Sequence, residues 1–312
     1  MGLKMKKAKF EGHEIKTSDF KDFMRGNLYC IYCNTPVTYV AAYIKKQGDK
    51  DISVSPYFRL KNKKSNPHKS GCKYITSNVV KEIFADVSDE GLATFQNNKY
   101  IARLHIITES LEKRKKGTES NENENSHFEK SEKKYIKNNE QPAYLNTIKK
   151  IVELKESLDD DKELSDLVSL QIYNENKQRY DEIEWKDFYV DYNLKQYEHI
   201  YRLIKEEKAF HPICFSGVIK NANKCEKDEG IYYINFYSIQ QKKNVYLSLS
   251  ILTKSQEVFD YANKLKGKRV VIYGCNHYIS KIKELKKSDN NIETYKNFIT
   301  QINVKTQIFV LK

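Results

Sequence analysis

The spacing of apolar side chains changes from a helical period to strict alternation at Pro212. Between Pro142 and about Lys208, apolar residues recur every three or four positions, which predicts three helical stretches. The stretches are marked by Leu145, Ile148 and Val152; by Leu164, Leu167, Val168 and Ile172; and by Trp185, Phe188, Tyr192, Ile200, Tyr201 and Ile204. Packing between helices is the favoured role of the aromatic third stretch, and a partner-docking face is the alternative.

After Pro212 the pattern predicts strands and one helix. The predicted strands are 213–220, 231–238, 245–251, 269–274 and 298–311, with a helix over 253–266 and a polar loop over 286–296. Three strands, a helix and two strands is the order of a five-stranded OB-fold barrel. Phe215-Ser216-Gly217-Val218-Ile219 resembles the first OB strand with its bulge-forming glycine. Gly267–Gly274 resembles the sequence motif that begins the fourth OB strand. The resemblance to an OB-fold therefore covers residues 211–312.

The N-terminal region carries a set of metal-ligand residue types. Cys30 and Cys33 form a C-x2-C pair, and His68 and Cys72 follow four positions apart. Three thiolates and one imidazole complete a tetrahedral set for Zn²⁺ and leave no open position for a reactive water, so a structural site is predicted. The alternative is unrelated free thiols and a surface histidine. Cys214, Cys225 and Cys275 show no such pairing. Cys214 and Cys275 are interpreted as ordinary strand residues, with a chance metal site using His211 or His277 as the alternative.

The segment between the two ligand pairs predicts a hairpin. Residues 36–44 and 52–60 are both β-like, with Gly48-Asp49 between them. A hairpin of these two strands would bring the chain back to the first ligand pair. With a short hairpin over Ala8–Ile15 ahead of the C-x2-C, residues 8–74 resemble the zinc-binding region of the competence protein CoiA family. That family has a His-Phe-x-His phrase where this chain has Tyr57-Phe58-Arg59-Leu60, so His68 and Cys72 would have to substitute. The resemblance implies a nuclease-like domain further along the chain.

Composition separates the chain into parts. Residues 109–141 are almost entirely Glu, Lys, Asn and Ser, which predicts a disordered linker. The predicted organisation is an α+β multi-domain protein: a β-rich zinc module at 1–108, the linker at 109–141, a helical middle segment at 142–210 and an OB-fold at 211–312. Of the net charge of +13, residues 1–81 contribute +11 and residues 213–312 contribute +9, whereas residues 82–212 contribute −7. The positive charge therefore lies in the two modules.

Alternation within the predicted barrel exposes polar and aromatic side chains on its second and third strands. The outward residues are Tyr233, Asn235, Tyr237, Tyr246, Ser248 and Ser250. Tyrosine rings stack on nucleic-acid bases, and Asn and Ser supply hydrogen bonds. The basic side chains expected to rim this face and meet phosphates are Lys220, Lys224, Lys242, Lys243, Lys268 and Arg269. The alternative is that these tyrosines simply cover a solvent-facing sheet.

Several protein classes are excluded by the sequence. There is no apolar run of about 20 residues, no apolar stretch after the basic start and no myristoylation pattern, so we expect a cytoplasmic protein with no membrane partner. The tripeptides Glu153-Leu154-Lys155 and Glu184-Trp185-Lys186, with Asp181 nearby, match a metal-dependent nuclease pattern. They lie in helical-period segments, however, whereas such an enzyme would need them on a strand beside a second carboxylate.

The favoured hypothesis is a non-enzymatic protein that binds nucleic acid, preferably single-stranded DNA or RNA, through a structural zinc module and an OB-fold. The first alternative is an adaptor that docks a protein partner on the acidic helical segment. The second is a CoiA-like metal-dependent nuclease.

Overall fold

A computed structural model describes residues 3–47, 50–85, 93–107, 140–158, 162–226, 228–288 and 291–310. The chain is an α+β protein, rich in strands, with short helices. It divides into two compact units. The N-terminal unit comprises the described residues of 1–46, 50–102 and 147–169, and the C-terminal unit those of 47–49, 103–146 and 170–312. Residues 108–139, which hold nearly all of the predicted linker, lie outside the described residues.

Short strands and turns build the first part of the chain. The elements are β1 (Lys7–Phe10), β2 (His13–Lys16), β3 (Leu28–Tyr29), β4 (Val37–Val40), β5 (Tyr43–Gln47), β6 (Lys50–Val54), β7 (Tyr57–Leu60), α1 (Thr76–Ala85), β8 (Ala93–Gln96), β9 (Lys99–Leu104), α2 (Gln141–Ser157) and α3 (Lys162–Leu167). Strands β2, β1 and β3 form one sheet, β4 pairs with β7, and β5 pairs with β6. Both predicted hairpins are therefore confirmed.

The N-terminal unit has its own apolar core. The buried members are Met5, Ala8, Met24, Leu28, Cys30, Val37, Phe58, Leu60 and Cys72. Met5 and Phe58 exchange backbone hydrogen bonds, each 2.8 Å long, which join the N-terminal segment to β7. Two of the cysteines with metal-ligand spacing, Cys30 and Cys72, are part of this core, so the candidate metal centre lies inside the unit's hydrophobic interior.

Longer strands dominate the rest of the chain. The elements are β10 (Val168–Asn174), β11 (Arg179–Ile183), α4 (Trp185–Phe188), β12 (Tyr189–Val190), α5 (Leu194–Lys205), β13 (Ile213–Lys224), β14 (Tyr232–Phe236), β15 (Ile239–Lys242), β16 (Val245–Thr253), α6 (Gln256–Lys264), β17 (Arg269–Ile279), β18 (Lys283–Ser288), β19 (Asn291–Gln301) and β20 (Ile308–Val310). Short 3-10 turns occur at Thr17–Asp19, Asp22–Met24 and Lys305–Gln307.

Five strands of the C-terminal unit pair in a closed ring. Antiparallel ladders join β13 to β14 and β14 to β16, a parallel ladder joins β16 to β19, and antiparallel ladders join β19 to β17 and β17 back to β13. Helix α6 lies between β16 and β17 in the chain. Large side chains fill the inside of the ring, including Phe215, Phe236 and Phe298, each almost fully buried.

Two glycines permit close packing in this ring. A Cβ added to Gly217 would lie 2.2 Å from Cδ2 of Phe236, and one added to Gly274 would lie 2.1 Å from Oγ1 of Thr300. These positions therefore require glycine because a neighbouring side chain occupies the space. The strand irregularity in β13 falls between Ile219 and Asn221 instead of at Gly217, where the sequence placed a bulge.

The predicted helical middle segment is only partly correct. Helix α2 confirms the first stretch, but the second ends as a helix at Leu167 and continues as strand β10, which pairs with β11. Residues Val168–Ser169–Leu170 are all buried, as are Ile172 and Tyr173, so burial on both faces overrides the apparent helical spacing. The predicted strand 298–311 is also wrong in its bounds, because β19 and β20 are separate strands with a 3-10 turn between them.

Candidate metal centre and tyrosine face

The C-x2-C pair lies in a tight turn that follows β3. The amide of Cys30 donates to the carbonyl of Thr35 (2.8 Å), and the amide of Asn34 donates back to the carbonyl of Cys30 (3.0 Å). Asn34 takes a positive φ of 56°, which asparagine tolerates better than most residues. The turn aims both sulfur atoms towards the same side.

The second pair of ligands lies in the turns that lead into α1. The amide of Cys72 donates to the carbonyl of Lys69 (3.1 Å), and Gly71, with φ of 79°, reverses the chain immediately before Cys72. Thr35 Oγ1 donates to the carbonyl of Pro67 (3.2 Å), so the turn of the first pair holds the start of the second. This contact explains how ligands 35 residues apart in sequence meet without a conventional finger spacing.

The four side chains converge on one point. Their ligand atoms all lie within 4.8 Å of one another. Cys30 Sγ is 3.7 Å from Cys72 Sγ, and His68 Nδ1 is 3.3 Å from Cys33 Sγ and 3.5 Å from Cys72 Sγ. Tetrahedral zinc with Zn–S of about 2.3 Å and Zn–N of about 2.0–2.1 Å requires S···S of about 3.8 Å and S···N of about 3.5 Å. The donor set and its spacing therefore fit a single metal ion such as zinc.

The surroundings of the sulfur atoms differ in polarity. Burial raises the pKa of the Cys30 thiol, and it raises that of Cys72 to about 12. Burial acts in the same direction on Cys33, but hydrogen bonds from the Thr35 hydroxyl, His68 and the Lys69 and Thr35 amides outweigh it and lower the pKa of Cys33 to about 6. One preformed thiolate beside two buried thiols is an arrangement that a cation would complete.

His68 presents a defined nitrogen to the sulfurs. Nδ1 faces Cys33 and Cys72, whereas Nε2 is buried and receives no hydrogen bond from any described atom. The imidazole is therefore oriented by the two cysteines and by the ring of Tyr74, whose centroid is 6.0 Å away. Where the CoiA-like phrase would place histidines, this chain has Tyr57 and Leu60, and both side chains are buried in the N-terminal unit.

The remaining cysteines do not join a second cluster of ligands within the described part of the chain. Cys214 and Cys275 are buried strand residues of β13 and β17, and burial raises the pKa of both thiols. His277 donates its Nε2 hydrogen to the carbonyl of His211 (3.0 Å). Among the described residues, the Cys30 cluster is the one group of three or more such ligands whose atoms converge.

The second candidate site is the outer side of β14 and β16. Ile234 and Phe236 are buried, while Tyr233, Asn235 and Tyr237 between and beside them are half-buried, so β14 alternates as expected. On β16, Tyr246 and Ser248 are half-buried, and they alternate with the buried side chains of Leu247 and Leu249. Ser250, which was predicted to face outward, is buried. We call the outward surface of β14, β16 and β19, with the adjoining end of β13, the tyrosine face.

A polar ladder crosses the tyrosine face. Asn235 Nδ2 donates to Asn221 Oδ1 (2.9 Å), Ser250 Oγ donates to Asn235 Oδ1 (2.7 Å), and Asn297 Nδ2 donates to Ser250 Oγ (3.2 Å). These four residues belong to β13, β14, β16 and β19, so the ladder spans four adjacent strands. The sequence analysis did not identify Asn221 or Asn297, because their place beside Asn235 depends on strand pairing.

Additional tyrosines extend the face. The rings of Tyr246 and Tyr295 stack at 5.0 Å and 17° across the parallel ladder. Burial, followed by the nearby Glu293, raises the pKa of Tyr295 to about 12. Burial raises the pKa of Tyr278, with a smaller contribution from Tyr233, which places these two phenols near each other. The raised pKa values keep the phenols of Tyr278 and Tyr295 uncharged at neutral pH, so both rings remain suitable for stacking.

The predicted basic rim is uneven. Lys220, Lys224, Lys242, Lys243 and Lys268 are exposed. Arg269, by contrast, is held by other side chains of the C-terminal unit: its Nη2 lies 3.3 Å from Asp191 Oδ1 and 3.1 Å from Ser216 Oγ. The arginine is therefore the member of the predicted set with least freedom to meet a phosphate.

The predicted aromatic stripe of the middle segment is buried except for Tyr201, which is half-buried. Trp185, Phe188, Tyr192 and Tyr197 are at most 8% exposed, and the Tyr197 ring packs edge-on against Phe298 of the ring core at 5.5 Å. These side chains pack on strands instead of between helices.

Only the first of the two nuclease-like tripeptides begins within a helix as the sequence placed it, because Glu184 directly follows strand β11, which contains Asp181. Glu153 is in α2, and Glu184 immediately precedes α4. Asp181 accepts hydrogen bonds from Asn174 Nδ2 (2.6 Å) and Lys177 Nζ (3.0 Å). In the described part of the chain, none of these carboxylates joins a group of three or more converging ligands.

Comparison with known proteins gives no relative from which a role can be transferred. No family model, no curated protein and no solved structure matches this chain. Among the described helices, none is long and apolar enough to cross a membrane.

Proposed function

We propose that this chain is a non-enzymatic nucleic-acid-binding protein that holds single-stranded DNA or RNA on the tyrosine face. The observation that carries the proposal is the polar ladder of Asn221, Asn235, Ser250 and Asn297, flanked by tyrosine rings on the outside of the strand ring. Stacking of one base on an aromatic side chain contributes about 1–3 kcal/mol. The amides and the hydroxyl supply hydrogen bonds that suit the edges of unpaired bases.

The strand pairing supports an OB-fold barrel as the scaffold of this face. In chain order the five ring strands pair as first with second, second with third, third with fifth, fifth with fourth and fourth with first. Helix α6 falls between the third and fourth strands, as in the sequence order that suggested this fold. OB-folds bind oligonucleotides on the surface that includes the second and third strands, which correspond to β14 and β16 here.

The metal centre would stabilise the N-terminal unit. We propose one Zn²⁺ bound by Cys30, Cys33, His68 and Cys72, whose distances and donor types support tetrahedral coordination. Because four protein ligands leave no open position, the ion would supply structure instead of hydrolytic chemistry. Zinc content of the purified protein, with one equivalent expected, tests this assignment.

Binding of fluorescent single-stranded oligonucleotides tests the proposed face. Replacing Tyr233 and Tyr246 together by alanine should weaken binding at least about tenfold, as expected for the loss of stacking. The control is Tyr261→Phe, because Tyr261 lies on α6 and does not belong to the tyrosine face. This substitution should leave the affinity unchanged. Binding should also fall steeply as salt rises, since phosphate contacts release counterions.

The same assay separates the alternative functions. Wild-type protein that binds neither single-stranded DNA nor RNA at low salt would overturn the proposal and leave the adaptor as the leading hypothesis. Degradation of the oligonucleotide when Mg²⁺ or Mn²⁺ is added, abolished by chelation, would instead favour the nuclease.

A further inference from the structure

An exposed tyrosine lies between the two cysteines of the first ligand pair. Tyr32 is 50% exposed, although its neighbours Cys30 and Cys33 belong to the metal centre. The Tyr32 backbone amide hydrogen-bonds to the Cys30 sulfur, so the ring projects from a backbone that the cluster fixes. An aromatic side chain held outward on a rigid turn loses little conformational freedom when a ligand binds.

Two lysines lie near this ring, and the first, Lys7, is close enough to Tyr32 to interact with it electrostatically. Lys73, which follows the last ligand in sequence, places its Nζ 5.7 Å from the centroid of the Tyr32 ring. The ring of Tyr74 lies 5.0 Å from that of Tyr32 at an angle of 58°. We call Lys7, Tyr32, Lys73 and Tyr74 the knuckle patch.

One acidic group limits the charge of the knuckle patch. Lys7 Nζ forms an ion pair of 2.6 Å with Glu14, and both side chains are nearly half exposed. An exposed ion pair of this kind is weak and is screened by salt. Lys7 can therefore leave Glu14 and pair with a phosphate. Residues 1–81 carry 17 basic and 6 acidic side chains, so the region as a whole favours a polyanion.

We propose that the knuckle patch is a second contact for single-stranded nucleic acid, in which a base stacks on Tyr32 and an adjacent phosphate pairs with Lys73. This inference rests on the proposed function for the class of ligand, but it concerns the other unit of the chain. Two contacts on one strand strengthen binding through effective concentration, without either site being strong alone.

Substitution of Tyr32 in the full-length, zinc-loaded protein tests the inference. Tyr32→Ala should weaken binding of a single-stranded oligonucleotide of about 30 nucleotides roughly tenfold, a loss within the range for one stacked base. Tyr43→Ala is the matched control, since Tyr43 is a similarly exposed tyrosine (43%) of the same unit and should leave affinity unchanged. Lys73→Gln should reduce the slope of log affinity against log salt concentration by about one, because one phosphate contact is lost.

Photo-crosslinking of unaltered protein gives a readout that does not depend on the stability of a variant. An oligonucleotide containing 5-iodouracil should form adducts at Tyr32 or Tyr74, identified by mass spectrometry, as well as on the tyrosine face. Unchanged affinity of a zinc-loaded Tyr32→Ala protein would overturn the knuckle patch, and so would adducts on the tyrosine face with none at Tyr32 or Tyr74.

The outcomes distinguish the two proposals. Loss of binding in Tyr233→Ala/Tyr246→Ala with none in Tyr32→Ala keeps the tyrosine face and removes the knuckle patch. The reverse pattern keeps the knuckle patch and removes the tyrosine face. Wild-type protein that binds no single-stranded nucleic acid at low salt overturns both.

Discussion

The two units reach a stable fold by different means. Around the metal centre, strands β1, β3, β4 and β7 are two to four residues long, and two of the ligand cysteines are themselves core residues. In the C-terminal unit, β13, β17 and β19 have 11 or 12 residues, and the ring they help to form encloses several buried phenylalanines. Short elements bury little apolar surface, so we expect the N-terminal unit to depend on the metal cross-link that we propose and the C-terminal unit to depend on packing.

Removal of the metal should have the largest effect and should separate the units. Structural zinc contributes about 10–16 kcal/mol of binding free energy in small zinc-dependent folds. We therefore expect a chelator, or Cys72→Ser, to unfold the N-terminal unit while β13, β16 and β17 stay protected. Hydrogen exchange read peptide by peptide by mass spectrometry measures this.

A cysteine outside the cluster provides the control for this experiment. Cys225→Ser changes a partly exposed cysteine that is not one of the four ligands, and it should keep both the metal and the exchange pattern. A Cys72→Ser protein that retains a full equivalent of zinc and unchanged protection in 28–37 would contradict the dependence on the cross-link.

Overpacking of the ring should have the next largest effect and should act on the C-terminal unit alone. In Gly274→Ala the new methyl group would meet Thr300, with Oγ1 only 2.1 Å away. We expect a loss of about 3 kcal/mol in the free energy of unfolding, at the upper end for an added methylene in a packed core. Chemical denaturation followed by a probe in the C-terminal unit measures it.

A compensating change tests the cause. Thr300→Ala removes the two closest atoms, Oγ1 and Cγ2, and the double variant Gly274→Ala/Thr300→Ala should recover part of the stability lost by Gly274→Ala. Strictly additive effects of the two substitutions would show that the steric contact is not the reason for glycine at this position.

Protonation of His277 on acidification should have the smallest of the three effects, and it acts on the C-terminal unit. Burial lowers the pKa of His277 to about 3, with a smaller contribution from His211, whereas an unfolded histidine titrates near 6.5. Between about pH 6.5 and 3, His277 therefore binds a proton in the unfolded state but not in the folded state. The free energy of unfolding falls as the pH drops through this range. At pH 5 the loss from His277 is on the order of 2 kcal/mol.

Substitution of His277 isolates its share of the pH dependence. His277→Gln should flatten the curve of unfolding free energy against pH between 7 and 5, with the remaining slope including His211, whose pKa burial also lowers. An unaltered slope in His277→Gln would show that this histidine is accessible to protons in the folded state.

Local patterns were predictable from the sequence where residue type and spacing determine the structure. Cys30 and Cys33 share one turn, and His68 and Cys72 lie in consecutive turns, so each pair follows from local geometry. The hairpin between them needed only two β-like runs around Gly48-Asp49. The order of strands and helix after Pro212 was readable because inward and outward residues alternate cleanly in β14 and β16.

The failures occur where tertiary packing outweighs local pattern. In β10 the spacing of Leu164, Leu167, Val168 and Ile172 imitates a helix, but a strand buried on both faces accounts for the structure from Val168 onward. The predicted loop 286–296 is rich in Lys, Glu and Asn, but it contains the end of strand β18 and the first half of β19. Their pairing with each other supplies the backbone hydrogen bonds that composition does not indicate.

Candidate site residues that depend on neighbouring strands were also missed. Tyr295 meets Tyr246 only because β16 and β19 pair in parallel, and Asn297 reaches Ser250 for the same reason. Arg269, predicted to meet phosphate, is instead held by Asp191, which lies 78 residues away in sequence. Long-range partners of this kind cannot be identified from periodicity in one sequence.

The parallel pairing of β16 with β19 also sets the order in which the protein can assemble on a ribosome. Roughly 40 residues separate the two strands, and synthesis at about 5–20 residues per second adds them over about 2–8 seconds. During that interval one edge of β16 in the nascent chain has no native neighbour, and an unpaired edge is open to other strands. Ser250 lacks its Asn297 partner until β19 has emerged, so the polar ladder is among the last parts of the molecule to be completed.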